Sequence, residues 1–217
     1  MVQERYKMNL PTSAELACSD DIPVDNEEQN YLPNFLLFLL EFIWASRNDW
    51  FFGVDMGVYH TTGANARVPV VPDAFLSLGV PRRRNNTSRA SYLVWEEEDV
   101  VPIFTLEVVS QTYGGEYDTK MKIYAQLGVL YYLVYNPNFW KRDQHQPFEM
   151  YRLVDGEYQQ QIGEPFWMPE ICLGIGRNIT QSGGLQREVL YWYNEANVRY
   201  QTPEELLESY KNHFGNL

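Results

Sequence analysis

FTLEVVSQTYGGEYDTKMKIY, residues 104–124, opens as an apolar run with one carboxylate, Glu107, in its middle. It breaks at Gly114-Gly115 and resumes with acids, lysines and a helical period. A charge inside an apolar run is costly unless something pairs with it. The stretch therefore reads as a buried strand over residues 103–110 that carries Glu107 toward a helix over residues 116–128 bearing Lys120 and Lys122. Gly128 closes that helix, as glycine does at a C-terminus. The next apolar run, LYYLVY at residues 130–135, supplies a second buried strand. If both strands share a sheet, the connection is a right-handed parallel crossover.

Working outward, residues 30–47 read as an apolar helix, packed nearly all round, with Pro33 in its first turn. Residues 50–59 and 68–80 read as two further strands, the second weakened by Pro72. Residues 81–89 form a basic loop, PRRRNNTSR. Beyond residue 137 the pattern is short β elements. Residues 148–154 and 158–162 flank Asp155-Gly156, a hairpin signal. Residues 166–175 and 188–193 add more β structure. Pro203 opens a final amphipathic helix with Thr202 as its N-cap. The fold class is α/β: an αβββαβ order with a mixed sheet, followed by additional C-terminal strands and a helix. Residues 1–28, polar and aperiodic, read as a flexible or surface-wrapping arm, and residues 29–217 as a single domain.

The chain has 217 residues, is 45% hydrophobic and carries a formal net charge of -12. Such an acidic chain is not a non-specific nucleic-acid coat. A nuclease stays open, because bound divalent cations invert the local sign. Cys18 and Cys172 give neither a disulfide framework nor a zinc set, so a reducing cytoplasm is the expected location. No secretory signal is visible. The longest apolar run, residues 35–44, falls well short of the ~20 residues a membrane span needs.

Asp73 and Glu107 are the carboxylates set in strand-like apolar surroundings. On neighbouring strands they can share a hard cation; the competing reading makes each a strand-end or turn carboxylate. Glu41 has another competing reading, an acid that turns the apolar helix toward solvent or pairs with an arginine, and Asp55 is similarly ambiguous. His60, His145 and His213 lack ligand spacing. Ser110 has no histidine at a telling distance, and Gly114-Gly115 lacks the ending of a phosphate-binding loop. Arg82, Arg83 and Arg84 either touch nucleic-acid phosphates or form a solvated loop.

Val71-Pro72-Asp73, then Phe104-Thr105-Leu106-Glu107-Val108-Val109-Ser110, then Gly128-Val129 and Tyr131-Tyr132-Leu133-Val134 resemble the Uma-type endonuclease family of the PD-(D/E)XK restriction-endonuclease-like superfamily. The resemblance implies an αβββαβ core in which Asp73 and Glu107 hold Mg2+ or Mn2+, with help from the Val108 carbonyl. The superfamily lysine, two residues after the acid, is replaced here by Val109. In the family that lysine comes from the following helix, which points to Lys120. Glu116, Lys120 and Tyr124 are spaced to share one helix face. Positions two apart lie ~200° apart on a helix, so Lys122 faces away.

The expected function is Mg-dependent hydrolysis of phosphodiester bonds in DNA, by a protein that needs no membrane and could form a homodimer. Two alternatives stand beside it. One is a non-catalytic nuclease-fold interaction or nucleic-acid-binding module. The other is a two-carboxylate hydrolase without metal, such as a glycosidase.

Overall fold

The computed structural model describes residues 10–18, 26–84, 86–182 and 185–215. Much of the expected arm, residues 1–9 and 19–25, lies outside them. The chain divides into two compact units, Met1–Pro33 with Asn48–Gln161, and Asn34–Arg47 with Ile162–Leu217.

Helix α1 spans Glu27–Ile43 and contributes to both units. It starts three residues before the expected position because the Asn26 side chain caps it, accepting from the Glu28 and Gln29 amides at 2.9 and 3.1 Å. Pro33 consequently sits inside the helix rather than in its first turn. Leu32, Leu36, Leu39 and Leu40 form a fully buried stripe, whereas Phe38 and Phe42 stay nearly half exposed. The helix is thus one-sided, not apolar-packed all round.

The first unit is built on a six-stranded sheet. Its strands are β1 (Trp50–Val54), β3 (Ala74–Leu78), β5 (Phe104–Val108), β6 (Tyr131–Tyr135), β7 (Phe148–Val154) and β8 (Glu157–Gln161), in the spatial order β1-β3-β5-β6-β7-β8. Only β5 and β6 pair in parallel; every other neighbour is antiparallel. Their crossover is helix α2 (Thr119–Leu127). The order α1, β1, β3, β5, α2, β6 is the αβββαβ core of the restriction-endonuclease-like fold.

Two expected strands are shorter than their apolar runs. The run over residues 50–59 breaks at Asp55, which adopts a left-handed φ of 47°. It resumes as β2 (Val58–Tyr59), paired in parallel with β4 (Tyr92–Leu93). The run over residues 68–80 becomes a strand only from Ala74, since Pro69 and Pro72 have no amide to give a ladder. Asp155 and Gly156 both take positive φ, 52° and 86°, as the tight β7–β8 hairpin requires.

On the side of the sheet facing α2, Phe75, Val109, Tyr132 and Val134 pack with Tyr124, Leu127 and Val129. Residues 10–18 are held by their backbone carbonyls. The Ala17 oxygen accepts from the Tyr59 and Ser91 hydroxyls, and the Pro11 oxygen accepts from the Trp95 indole at 3.0 Å.

The second unit holds an antiparallel sheet of β9 (Phe166–Met168), β10 (Leu173–Ser182) and β11 (Leu185–Tyr193), ordered β11-β10-β9. Trp192 is fully buried and donates its indole N–H to the Leu36 carbonyl at 3.0 Å. Helix α4 (Pro203–Phe214) closes the chain with a capping box between Thr202 and Glu205. A single helical turn, α3 (Trp140–Asp143), lies between β6 and β7. Among the described residues no helix is long and apolar enough to cross a membrane.

Candidate active site

Asp73 lies one residue before β3. The β3–β5 register pairs Ala74 with Leu106, so one further step sets Asp73 opposite Glu107. The Asp73 Oδ2 atom accepts the Val108 amide at 2.6 Å, which fixes the carboxyl against the end of β5.

Glu107 is 1% exposed. Its Oε2 accepts from the Lys120 ammonium at 2.8 Å and its Oε1 from the Tyr124 hydroxyl at 2.5 Å. Both donors stand on α2, one turn apart, so a single helix face reaches a single carboxylate. Lys120 also donates to the Val71 carbonyl at 3.2 Å, just upstream of Asp73. Lys122, two positions on, is exposed.

Helix α2 begins later than the sequence suggests. Asp118 caps it through the Thr119 amide, leaving Glu116 in the preceding turn. Glu116 is nonetheless 4% exposed, and both its carboxyl oxygens accept the Gly114 amide at 3.1 Å. A Cβ at Gly114 would come within 2.8 Å of Glu116 Oε1, so glycine is what allows this carboxylate to fold back. The Tyr132 hydroxyl donates to the Glu116 carbonyl at 2.6 Å.

The electrostatics follow from three acids gathered around one amine. Burial, then the charge of Glu107, pushes the Asp73 carboxyl well above the usual carboxylate range, against the pull of the Val108 amide and Lys120. Burial also raises Glu116, with Glu107 adding to it. For Lys120 burial acts downward, but the charges of Glu107, Asp73 and Glu116 outweigh it and hold the ammonium above its ordinary range. Lys120 is therefore a hydrogen-bond donor rather than a free base. Burial and the charge of Glu107 raise the Tyr124 hydroxyl, keeping it a donor too.

This donor set suits a hard divalent cation, which takes oxygen ligands and needs only one or two carboxylates if waters complete its shell. Excess negative charge in a buried place is what such an ion relieves. Among the described residues no group of three or more His, Cys, Asp and Glu side chains is arranged to hold a metal by itself. Any ion here would thus depend on carbonyl and water ligands as well. The Val108 carbonyl accepts from the Gln29 amide on α1 at 3.2 Å.

The arginines of the basic loop are differently placed. The Arg82 guanidinium stacks over Trp50 at 3.7 Å, and Arg84 pairs with Glu96. Arg83 is exposed.

A model of the Uma2 family, whose description reads "Putative restriction endonuclease", matches residues 22–182. The chain belongs to the Uma2 family. No curated protein and no solved structure matches it. The Uma2 match takes in Asp73, Glu107 and the whole of α2, and membership points to nuclease chemistry.

Three polar residues of this Uma2 chain's site escaped the sequence reading. Gln29 falls between the expected arm and the expected helix, and the cap at Asn26 is the one signal that draws it into α1. Helical spacing puts Tyr124 on the face of Lys120 without marking it as a partner of Glu107. Tyr132 read simply as core, and nothing in an apolar run marks which hydroxyl will find a carbonyl.

Proposed function

We propose that this Uma2-family chain is a divalent-metal-dependent endonuclease that hydrolyses phosphodiester bonds in DNA. The observation that carries this reading is the reach of Lys120 from α2 to Glu107, beside Asp73. It supplies from a helix the lysine that the strand lacks at Val109. Asp73, Glu107 and the Val108 carbonyl would hold Mg2+ or Mn2+. When bound, the ion supplies a lowered water pKa and polarisation of a phosphoryl oxygen.

The protein's own groups do the rest. Tyr124 holds one oxygen of Glu107 and Lys120 the other, fixing the carboxylate's orientation. The Val108 amide does the same for Asp73. The Lys120 ammonium, kept protonated by the surrounding acids, is a donor for negative charge developing on a phosphoryl oxygen in the transition state.

The test is cleavage of supercoiled, linear duplex and single-stranded DNA with Mg2+, with Mn2+ and with chelator, beside an Asp73→Ala control. Cleavage that needs the metal and vanishes in Asp73→Ala supports the reading. Cleavage that survives both chelator and Asp73→Ala, or no cleavage of any form, overturns it.

A further inference from the structure

The loop between Glu107 and Glu116 carries an aromatic arrangement that the catalytic reading does not use. Tyr117 follows Glu116 directly, and its ring lies flat on His145, with centroids 3.5 Å apart and planes 1° from parallel. Its hydroxyl accepts from the Asn136 side chain at 3.1 Å. Tyr117 is thereby clamped on one face and at its tip.

Tyr113, 47% exposed, lies only 10° from parallel to Tyr117, with its centroid 6.5 Å away. The next residue, Gly114, gives its amide to Glu116. The rings therefore stand at the rim of the carboxylate cluster. The first spacing is a closed stack. The second is a looser pairing, within the range of about 4.5–7 Å that offset aromatic rings adopt, and it leaves the Tyr113 ring half open to solvent.

We propose that Tyr113, backed by Tyr117, is a stacking platform for an unpaired nucleobase beside the scissile phosphate, so that the substrate is single-stranded or locally opened DNA. The inference rests on the nuclease reading above and names its substrate class.

Charge supports it. The chain is strongly acidic, with a formal net charge of -12. Lys120 and Arg142, the cations hydrogen-bonded in this region, are each paired with a carboxylate. A polyanion held here gains little from counterion release. Stacking on a preset aromatic face adds a source of affinity that needs no charge, and it is open to any base because every base has a π-face.

The experiment measures binding of a short fluorescein-labelled single strand and of the same sequence as a blunt duplex. Ca2+ replaces Mg2+ to hold off cleavage. Wild type, Tyr113→Ala and Tyr113→Trp are compared on intact strands and on strands carrying one abasic site. Tyr113→Ala is expected to lower the ratio of single-strand to duplex affinity about tenfold, in line with one lost stacking contact. Tyr113→Trp should keep the ratio. An abasic site at the stacked position should weaken wild type by the same factor and leave Tyr113→Ala no weaker than it already is. Equal ratios in wild type and Tyr113→Ala, with metal-dependent cleavage by wild type intact, overturn the platform alone. Wild type that neither binds nor cuts either form overturns the platform and the nuclease reading together.

Discussion

The Arg89–Glu97 and Lys120–Glu107 pairs both lie inside the first unit, yet they are built differently. Arg89 and Glu97 are 3% and 4% exposed, and the guanidinium meets both carboxyl oxygens, at 2.8 and 2.9 Å. Two further N–H groups go to the Arg82 and Pro81 carbonyls, and its face lies over Phe51 at 4.4 Å. One positive charge meets one negative charge, and four hydrogen bonds hold the guanidinium. In the other pair a single ammonium, 25% exposed, faces Glu107 while Asp73 and Glu116 stand nearby, with no cation of their own among the described residues. Burial of unlike charges in balance fastens a loop to the sheet. Burial with an excess of one sign does not serve stability, and it marks the place where a ligand of the other sign belongs.

The sharpest way to break this comparison is at the lysine. Lys120→Met should lower DNA cleavage by about two to four orders of magnitude, the usual worth of a positioned proton donor. Lys122→Met, altering an exposed residue of the same helix, should cut like wild type. Equal rates in the two variants would remove Lys120 from the mechanism.

Arg89→Met tests the balanced pair. It strands Glu97 as a buried charge, and the expected loss is about 3–5 kcal/mol of unfolding free energy in a denaturant titration. A loss below about 1 kcal/mol would show that the pair behaves as a surface ion pair does.

Asp73→Asn tests the imbalance. In chelator it should raise the thermal midpoint, because it removes one of the uncompensated charges. Adding Mg2+ at roughly a hundred times its Kd should stabilise wild type by about 2.7 kcal/mol and the variant much less. The same shift in both would mean that the cation does not sit between these strands.

His60 is the smallest and cleanest comparison, a buried group whose shift has no charge partner behind it. It is 7% exposed, its Nδ1 lies 2.7 Å from the Thr62 hydroxyl, and burial alone depresses its pKa. In the window below about pH 6.5 the unfolded chain binds the proton more readily than the folded one. Stability is therefore full above that pH and falls as the pH drops toward the folded-state value. The stability difference between wild type and His60→Gln should shrink between about pH 7 and pH 5. A flat difference would mean that the ring is not buried as a neutral group.

Length, pattern and punctuation in the sequence determine the elements of this protein. The apolar runs at residues 104–108 and 131–135 admit only buried strands, and the period between them admits only a helix. Gly128 and Thr202 mark helix ends because backbone geometry at those points is local chemistry. The pairing of Asp155 with Gly156 fixes a hairpin for the same reason. That Lys120 rather than Lys122 faces Glu107 also follows from helical geometry, since positions two apart face nearly opposite ways.

What tertiary structure decided lies in contacts that cross between elements. The Gln29 amide meets the Val108 carbonyl, 79 positions apart in the chain. The Val108 amide meets Asp73, and Tyr124 rather than another hydroxyl meets Glu107. The arginines at 82 and 84 face Trp50 and Glu96 only once the loop has folded back. Propensity and period act within a few residues. A hydrogen bond between distant positions exists only when packing has set two backbones side by side, and no local pattern encodes that distance.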